Sequence, residues 1–382
     1  MNNKPSQSKQ ICTRCVMDTT DSAITFTSEG VCDHCLTYDR EIVPDWDTGE
    51  KGNQQLTALV NRIKQDGKKR DFDCIMGMSG GADSSYLLYK VVHDFGLRPL
   101  VFHVDAGWNS QSAVNNIEKL VDGLGLDLFT EVIDWEEMKD LQLAFFRAGV
   151  SHTDTPQDHA FFATMYKFAA KYNIRYILTG ANYSTECIQP PFEWMYFQSD
   201  STQLRDIHRR FGQRPLKKFP ITNILWHKLY LPFVRGIKVV RPLNYFPYVK
   251  EEAMQLLQEK FGWQVYPQKH FESRFTRFYE SYWLSTRFGF DVRIVQYSSL
   301  ILTGQMTRDE ALKKLEACPY DQESIHTDCE FVANKLGITT DELESYRTMS
   351  IRSSRDYKSQ RFIYAGGAAV MRILGWEKGG KR

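Results

Sequence analysis

The 382-residue chain lacks three things that would each announce a function class. It has no run of about 18 apolar residues, so no stretch is long enough to span a bilayer as a helix. Its start, MNNKPSQSKQ, has no apolar stretch of the signal-peptide kind, so export is not expected and a cytoplasmic location without membrane insertion is. It also lacks a charge excess: 48 Lys and Arg stand against 47 Asp and Glu, which argues against a nucleic acid as the main partner. Internal repeats and low-complexity segments are absent too. What remains is ordinary for a folded protein, 42% hydrophobic with 13% aromatic residues, enough to fill a core in two or three domains.

Charge is uneven locally. From Arg205 to Arg241 there are ten Lys or Arg against Asp206 alone. A solvated loop surface explains this as well as an anionic ligand does.

Cysteine is concentrated at one end. Cys12-Thr-Arg-Cys15 and Cys32-Asp-His-Cys35 form two CxxC knuckles, and the other four cysteines are scattered. This spacing matches a four-cysteine zinc ribbon, in which thiolate ligation replaces the core that so short a module cannot build. A four-cysteine iron-sulfur site is the alternative. A closed four-sulfur set leaves no open position for substrate, so the metal is expected to serve folding or docking. His34, between two better ligands, reads as a surface residue.

Beyond a polar stretch over 41–53, apolar runs at 72–78, 99–104, 128–133 and 174–179 alternate with helical spacing. This pattern predicts a doubly wound parallel α/β sheet, which binds ligands where strands end and loops diverge. After about residue 245 the pattern turns helical, and Thr307 to Glu310 and Thr339 to Glu342 read as capping boxes. The expected division is a zinc-ribbon module at 1–50, a nucleotide domain at 51–245 and a helical substrate or partner region at 246–382.

The first strand breaks into Ser79-Gly80-Gly81-Ala82-Asp83-Ser84-Ser85. Two glycines let the main chain wrap an anion at a helix N-terminus, three hydroxyls can donate to it, and Asp83 can hold Mg²⁺. What this loop lacks is lysine. A Walker A loop ends in GK[ST], with a lysine where the terminal phosphate bond breaks. Nothing of that kind stands here, and a G-x-G-x-x-G dinucleotide fingerprint is missing as well.

The SGGxDS stretch resembles the PP-loop of the N-type ATP pyrophosphatases, a HUP-like superfamily whose members release pyrophosphate and transfer AMP to a substrate oxygen. The resemblance implies ATP contacts at Met78, Ser79, Gly80, Gly81, Asp83, Ser84 and Ser85. His103, Val104 and Asp105 in HVDAGWNS resemble the nucleotide-side loop, and Gly180 in LTGANYSTE a third loop. That loop departs from the family's TGH segment at Ala181, which puts a phosphate or metal role for this position aside. The catalytic candidates are Ser79, Asp83, Ser84, Asn182 and Glu186, and Asp158 and His159 could face the same pocket.

Over nearly the whole chain, CTRCVMDTT, SGGADSS, RPLNYFPYVKEE and HFESRFTRFYESYWL together resemble bacterial N-acetyl sugar amidotransferases of lipopolysaccharide O-antigen biosynthesis. The resemblance implies adenylation of an N-acetyl carbonyl on a UDP-linked sugar, such as a 2,3-diacetamido uronic acid, and its conversion by ammonia to an acetamidino group. It implies ATP, Mg²⁺ and structural Zn²⁺ as cofactors. It also implies separate glutaminase and cyclase-like subunits supplying ammonia, since no nucleophilic N-terminal cysteine is present; self-association is left open. Arg241, Arg274 and Arg277 are candidates for the substrate's carboxylate or pyrophosphate. The aromatic side chains around the last two read more readily as helix core than as a sugar platform. Two other classes compete: a tRNA-modifying PP-loop enzyme, with Cys187 as a persulfide carrier, and a non-catalytic ATP-binding scaffold.

Overall fold

In the computed structural model, residues 9–191, 193–194, 196–363 and 366 are described. Five short strands, β1 (Cys74–Gly77), β2 (Pro99–Asp105), β3 (Leu128–Val132), β4 (Tyr176–Leu178) and β5 (Lys238–Val240), form one parallel sheet in the order β3-β2-β1-β4-β5. Four of them lie on the apolar runs. The fifth, Lys-Val-Val, is an edge strand inside the basic segment; Val239 is half-exposed, so it has little of the apolar character that marks a buried strand.

Strand side chains alternate between two cores, as a pleat of period two requires. Ile75, Leu100, Phe102, Val104 and Ile177 face one, with the helices Trp135–Ala148, Thr155–Lys171 and Ser201–Phe211. Cys74, Met76, Val101, Tyr176 and Leu178 face the other, with Glu50–Gly67, Ala82–His93, Gln111–Gly123 and Lys250–Phe261. Helices therefore cover both faces. The chain runs from β1 outward to β2 and β3 and only later adds β4 and β5 on the opposite side, so the C-terminal ends of β1 and β4 flank the crevice where the direction of winding reverses.

The helical character after residue 245 is present. Thr307 and Glu310 form a complete capping box, and Thr339 caps its helix by accepting from the Glu342 N–H. The Phe275, Phe278 and Trp283 rings are fully buried in the core beneath the helix Trp135–Ala148. The four knuckle cysteines sit in a third apolar cluster that includes Ile188, Ile294 and Val295. Val16 N–H donates to Ser298 Oγ (3.2 Å), and Arg308 Nε donates to the Cys12 and Cys15 carbonyls (3.2 and 3.1 Å). His34 is buried, with Nε2 2.9 Å from Asp21 Oδ2, so it braces the knuckle from inside and is not a surface residue. Among the described residues no helix is long and apolar enough to cross a membrane.

Candidate active site

The Ser79–Gly81 turn leaves β1 and enters the helix Ala82–His93. Gly80 takes φ +83°, and a Cβ there would lie 2.9 Å from the Ala113 carbonyl oxygen, so both conformation and space demand glycine. Ser79 Oγ accepts from Gly81 N–H (3.2 Å), and Ser84 Oγ donates back to the Gly81 carbonyl (3.2 Å), fixing the turn from both sides. The loop after β4 closes against it: a Cβ on Gly180 would stand 2.9 Å from Asp83 C and Ser84 N.

These loops form one end of a cavity of about 960 Å³. Ser79, Gly81, Asp83, Ser84, Gly180 and Glu186 line it, as do Val104 and Asn109 beyond β2. Met78, Ser85, His103, Asp105 and Asn182 stand behind the wall. The Met78 side chain is fully buried and its carbonyl accepts from His103 Nδ1 (2.7 Å), while His103 Nε2 accepts from Asn109 Nδ2 (2.9 Å). Asp105 Oδ1 accepts from Gly107 N–H (2.8 Å), and Asn182 Oδ1 caps the short helix that holds Glu186 by accepting from Thr185 N–H (2.9 Å). The Ser85 side chain lies in the core.

The lysines missing from the loop come from far along the chain. Lys269 Nζ lies 3.6 Å from Asp83 Oδ2 and closer still to Glu186 Oε1, and the Tyr248 phenol donates to Asp83 Oδ1. Lys250 lines the same end. Burial alone would raise the Asp83 pKa, but Lys269 and Lys250 outweigh it and hold it below the ordinary carboxylate value. Burial likewise opposes the charge on Lys269, and Glu186 and Asp83 outweigh that, holding the ammonium above its usual pKa. Asp83 and Glu186 converge on one cation and are of the hard-oxygen type that would hold Mg²⁺.

The other end is different. Asp158 Oδ2 accepts from the Tyr196 phenol and from Gln198 Nε2 (3.2 Å); Asp154, one turn earlier, accepts from Thr276 Oγ1 (3.0 Å). Both carboxyls are raised above the ordinary range by burial, Asp154 further by its neighbour Asp158. His270 lies in the wall, Nδ1 2.8 Å from Glu280 Oε1; burial opposes its charge, but Glu280 wins and lifts it to about 9. His270 has φ +67°, rare for a residue with a side chain.

Sequence reasoning missed Lys269, His270, Lys250, Tyr248, Asp154, Tyr196 and Glu280. A signal was available in Asp154-Thr-Pro-Gln-Asp158, where proline near a helix start places two carboxylates one turn apart.

Four expected substrate contacts lie elsewhere. His159 is fully buried; its Nδ1 donates to the Gln198 carbonyl (2.6 Å), its Nε2 accepts from Thr222 N–H (3.1 Å), and burial pushes its pKa down to about 4, which makes it a packed core histidine. Arg274 and Arg277 both pair with the buried Asp328, and Arg274 lies over the Phe331 ring at 3.6 Å, so their charge is spent inside the helical region. Arg241 is exposed and outside the cavity lining. Much of the basic segment is paired too, with Asp206, Glu136 and Asp134 taking Arg209 and Arg210, Arg214, and Lys218. Cys187 is buried, Sγ donating to the Ser299 carbonyl (3.7 Å), and burial pushes its thiol up to about 12, opposite to what a sulfur carrier needs.

The four knuckle sulfurs lie within 4.8 Å of one another, with Cys12–Cys35 at 3.8 Å and Cys15–Cys32 and Cys32–Cys35 at 3.6 Å. A tetrahedron with metal–sulfur bonds of about 2.3 Å has edges of about 3.8 Å, so the set fits one metal ion.

Three solved structures resemble the chain at 13% sequence identity each. An NMN synthetase from Francisella tularensis covers 58% of this chain and 98% of its own at a TM-score of 0.28. An NH3-dependent NAD synthetase from Campylobacter jejuni covers 78% and 98% at 0.31, and the U34-tRNA thiolase NcsA from Methanococcus maripaludis, with its [4Fe-4S] cluster, covers 91% and 91% at 0.33. The fold assignment rests on the strand order and loop geometry above. No curated protein matches the chain by sequence. Residues 272–371, which include Thr276, Tyr279 and Glu280 of the cavity lining, match the family model of the C-terminal domain of WbpG-like lipopolysaccharide biosynthesis proteins.

Proposed function

We propose that the chain is an ATP-dependent, AMP-forming amidotransferase of lipopolysaccharide biosynthesis. It adenylates the carbonyl oxygen of an N-acetyl group on a nucleotide-linked sugar and replaces that oxygen with ammonia nitrogen, leaving an acetamidino group. The observation that carries this reading is the cavity itself: a glycine turn, two lysines and a carboxylate pair at one end, and enough room beyond them for an acceptor.

An amide carbonyl is a poor electrophile and its oxygen a poor leaving group, so exchange needs prior activation. The Ser79–Ser84 turn offers N–H and hydroxyl donors to the phosphates, and Lys269 and Lys250 meet the charge of pyrophosphate as it separates. Asp83 and Glu186 would hold Mg²⁺, which supplies charge neutralisation on the phosphates. Water at the activated carbon would restore the amide, so ammonia must reach it first. The WbpG-like match supports a lipopolysaccharide sugar as the acceptor. We assign the knuckle sulfurs to a structural zinc, since one ion fits their spacing, and the ammonia to a separate glutaminase with its cyclase-like partner.

Purified chain given Mg-ATP, ammonium and UDP-linked diacetamido uronic acids should release AMP and pyrophosphate. The sugar should lose about one mass unit as O becomes NH. ADP and phosphate as products, or no acceptor dependence, would refute the reading.

A further inference from the structure

Three consecutive residues entering the helix Thr155–Lys171 carry buried polar atoms without a hydrogen-bond partner: His152 Nδ1, Thr153 Oγ1 and Asp154 Oδ1. Asp154 is only 4% exposed, yet it lines the cavity. An unmet acceptor in such a place is costly unless something supplies a donor. Asp158 stands one turn on, held by Tyr196 and Gln198, and Glu280 pairs with His270 at the same end. His270 is the cation whose charge bears on both aspartates. The cavity is thus polarised, with Lys250 and Lys269 at the loop end and three carboxyls at this one. Phosphates and a sugar carboxylate would be repelled here, whereas a small cation rich in N–H groups would be drawn in.

We propose that Asp154 and Asp158 form the nitrogen subsite, taking ammonium as their ligand and then facing the amidinium that it becomes. This rests on the amidine-forming reading above. Ammonium gives one proton to a carboxylate of the pair and becomes NH3. Its lone pair forms the new C–N bond at the activated carbon while the C–O bond breaks, the electron pair departing with AMP. Adenylation of the carbonyl oxygen has already released the amide N–H proton to solvent and left a C=N bond to the ring-side nitrogen. All three ammonia hydrogens then stay with the product, one shifting to that nitrogen, so an amidinium faces the pocket, and the proton taken from ammonium also returns to solvent. Burial favours this role, since a carboxylate made more basic is better matched to a proton from nitrogen.

The test uses the full chain with ammonium chloride as the probe. In Asp158→Asn and Asp154→Asn, the KM for ammonium should rise at least about tenfold while the KM for ATP changes less than about threefold. Tyr196→Phe, which keeps the carboxyl and loses its positioning phenol, should give a smaller rise, about threefold. Independently of any variant, ammonium chloride should raise the wild-type melting temperature above that in sodium chloride of equal ionic strength. Equal melting temperatures in the two salts, or parallel changes in both KM values, would overturn the subsite. Wild-type exchange of labelled pyrophosphate into ATP, dependent on acceptor and without ammonium, reports on the proposed function separately. If exchange is seen and the ammonium KM does not move, the subsite alone fails; if exchange is absent, the amidotransferase reading fails.

Discussion

The loop end of the cavity and the Asp154 end are built in opposite ways. Ser79 to Ser84 are contiguous, and their geometry follows from a glycine turn at a strand end and a helix N-terminus. The opposite wall draws Asp154 and Asp158 from a helix start, Tyr196 and Gln198 from a loop, and His270, Thr276 and Glu280 from the region that follows the last amphipathic helix of the nucleotide fold. One end is a motif and the other an assembly. Under the proposed function the two ends divide the labour, the motif holding the phosphates and the assembly holding the acceptor and its nitrogen.

Removing the carboxylate at the motif end should do the most damage. Asp83→Ala should lower turnover by about 10²–10³-fold or more while the protein still folds, because the carboxylate proposed to act beside the departing pyrophosphate is lost and its side chain belongs to neither apolar core. Turnover within threefold of wild type would remove Asp83 from the chemistry. Lys269→Met should cost about 10²-fold and raise the KM for ATP, since it removes the cation that pairs with Asp83 and Glu186 and that the proposed function sets against the phosphates. An effect on ammonium KM alone would mean that Lys269 belongs to the other end.

The knuckle should sharpen the comparison from outside the cavity. Cys15→Ser should lower metal content measured by elemental analysis and reduce the melting temperature by about 5 °C or more. Its effect should reach the loop end, because Arg308 and Ser298 tie the knuckle to two helices, and Gln305 between them donates to the Ser184 and Tyr248 carbonyls. Unchanged nucleotide affinity in the metal-free protein would show that the knuckle acts alone.

The smallest effect concerns His270. Its folded pKa, about 9, lies above the ordinary 6.5, so its ion pair with Glu280 contributes stability that is fully present below pH 6.5 and is lost as pH rises through about 9. Melting temperature should fall over that window, and in Glu280→Gln the fall should shift toward pH 6.5. An identical profile in the variant would contradict the pairing.

How much of this was legible in sequence follows from the same contrast. Each CxxC knuckle and SGGADSS could be read because its polar groups lie within a few residues of one another, and β1, β2 and β4 because buried parallel strands are continuously apolar; the edge strand β3, half-exposed, showed only through Leu128, Phe129, Val132 and Ile133. Lys269 and Asp154 could not, since each owes its role to a partner more than 100 positions away. Arg274 and Arg277 misled because guanidinium groups beside aromatics look like anion binders, while Asp328, which neutralises them, lies some 50 residues further on. His159 misled because it neighbours Asp158 in sequence, yet on the helix adjacent residues face different sides.

The claim on which both ends depend is that AMP is transferred to the acetamido oxygen. With the acetyl carbonyl of the nucleotide-linked sugar labelled with ¹⁸O, turnover with Mg-ATP and ammonium should deliver the label into the phosphate of AMP, detected by mass spectrometry. Label that stays on the sugar, or that appears in inorganic phosphate with ADP as the nucleotide product, would contradict the account.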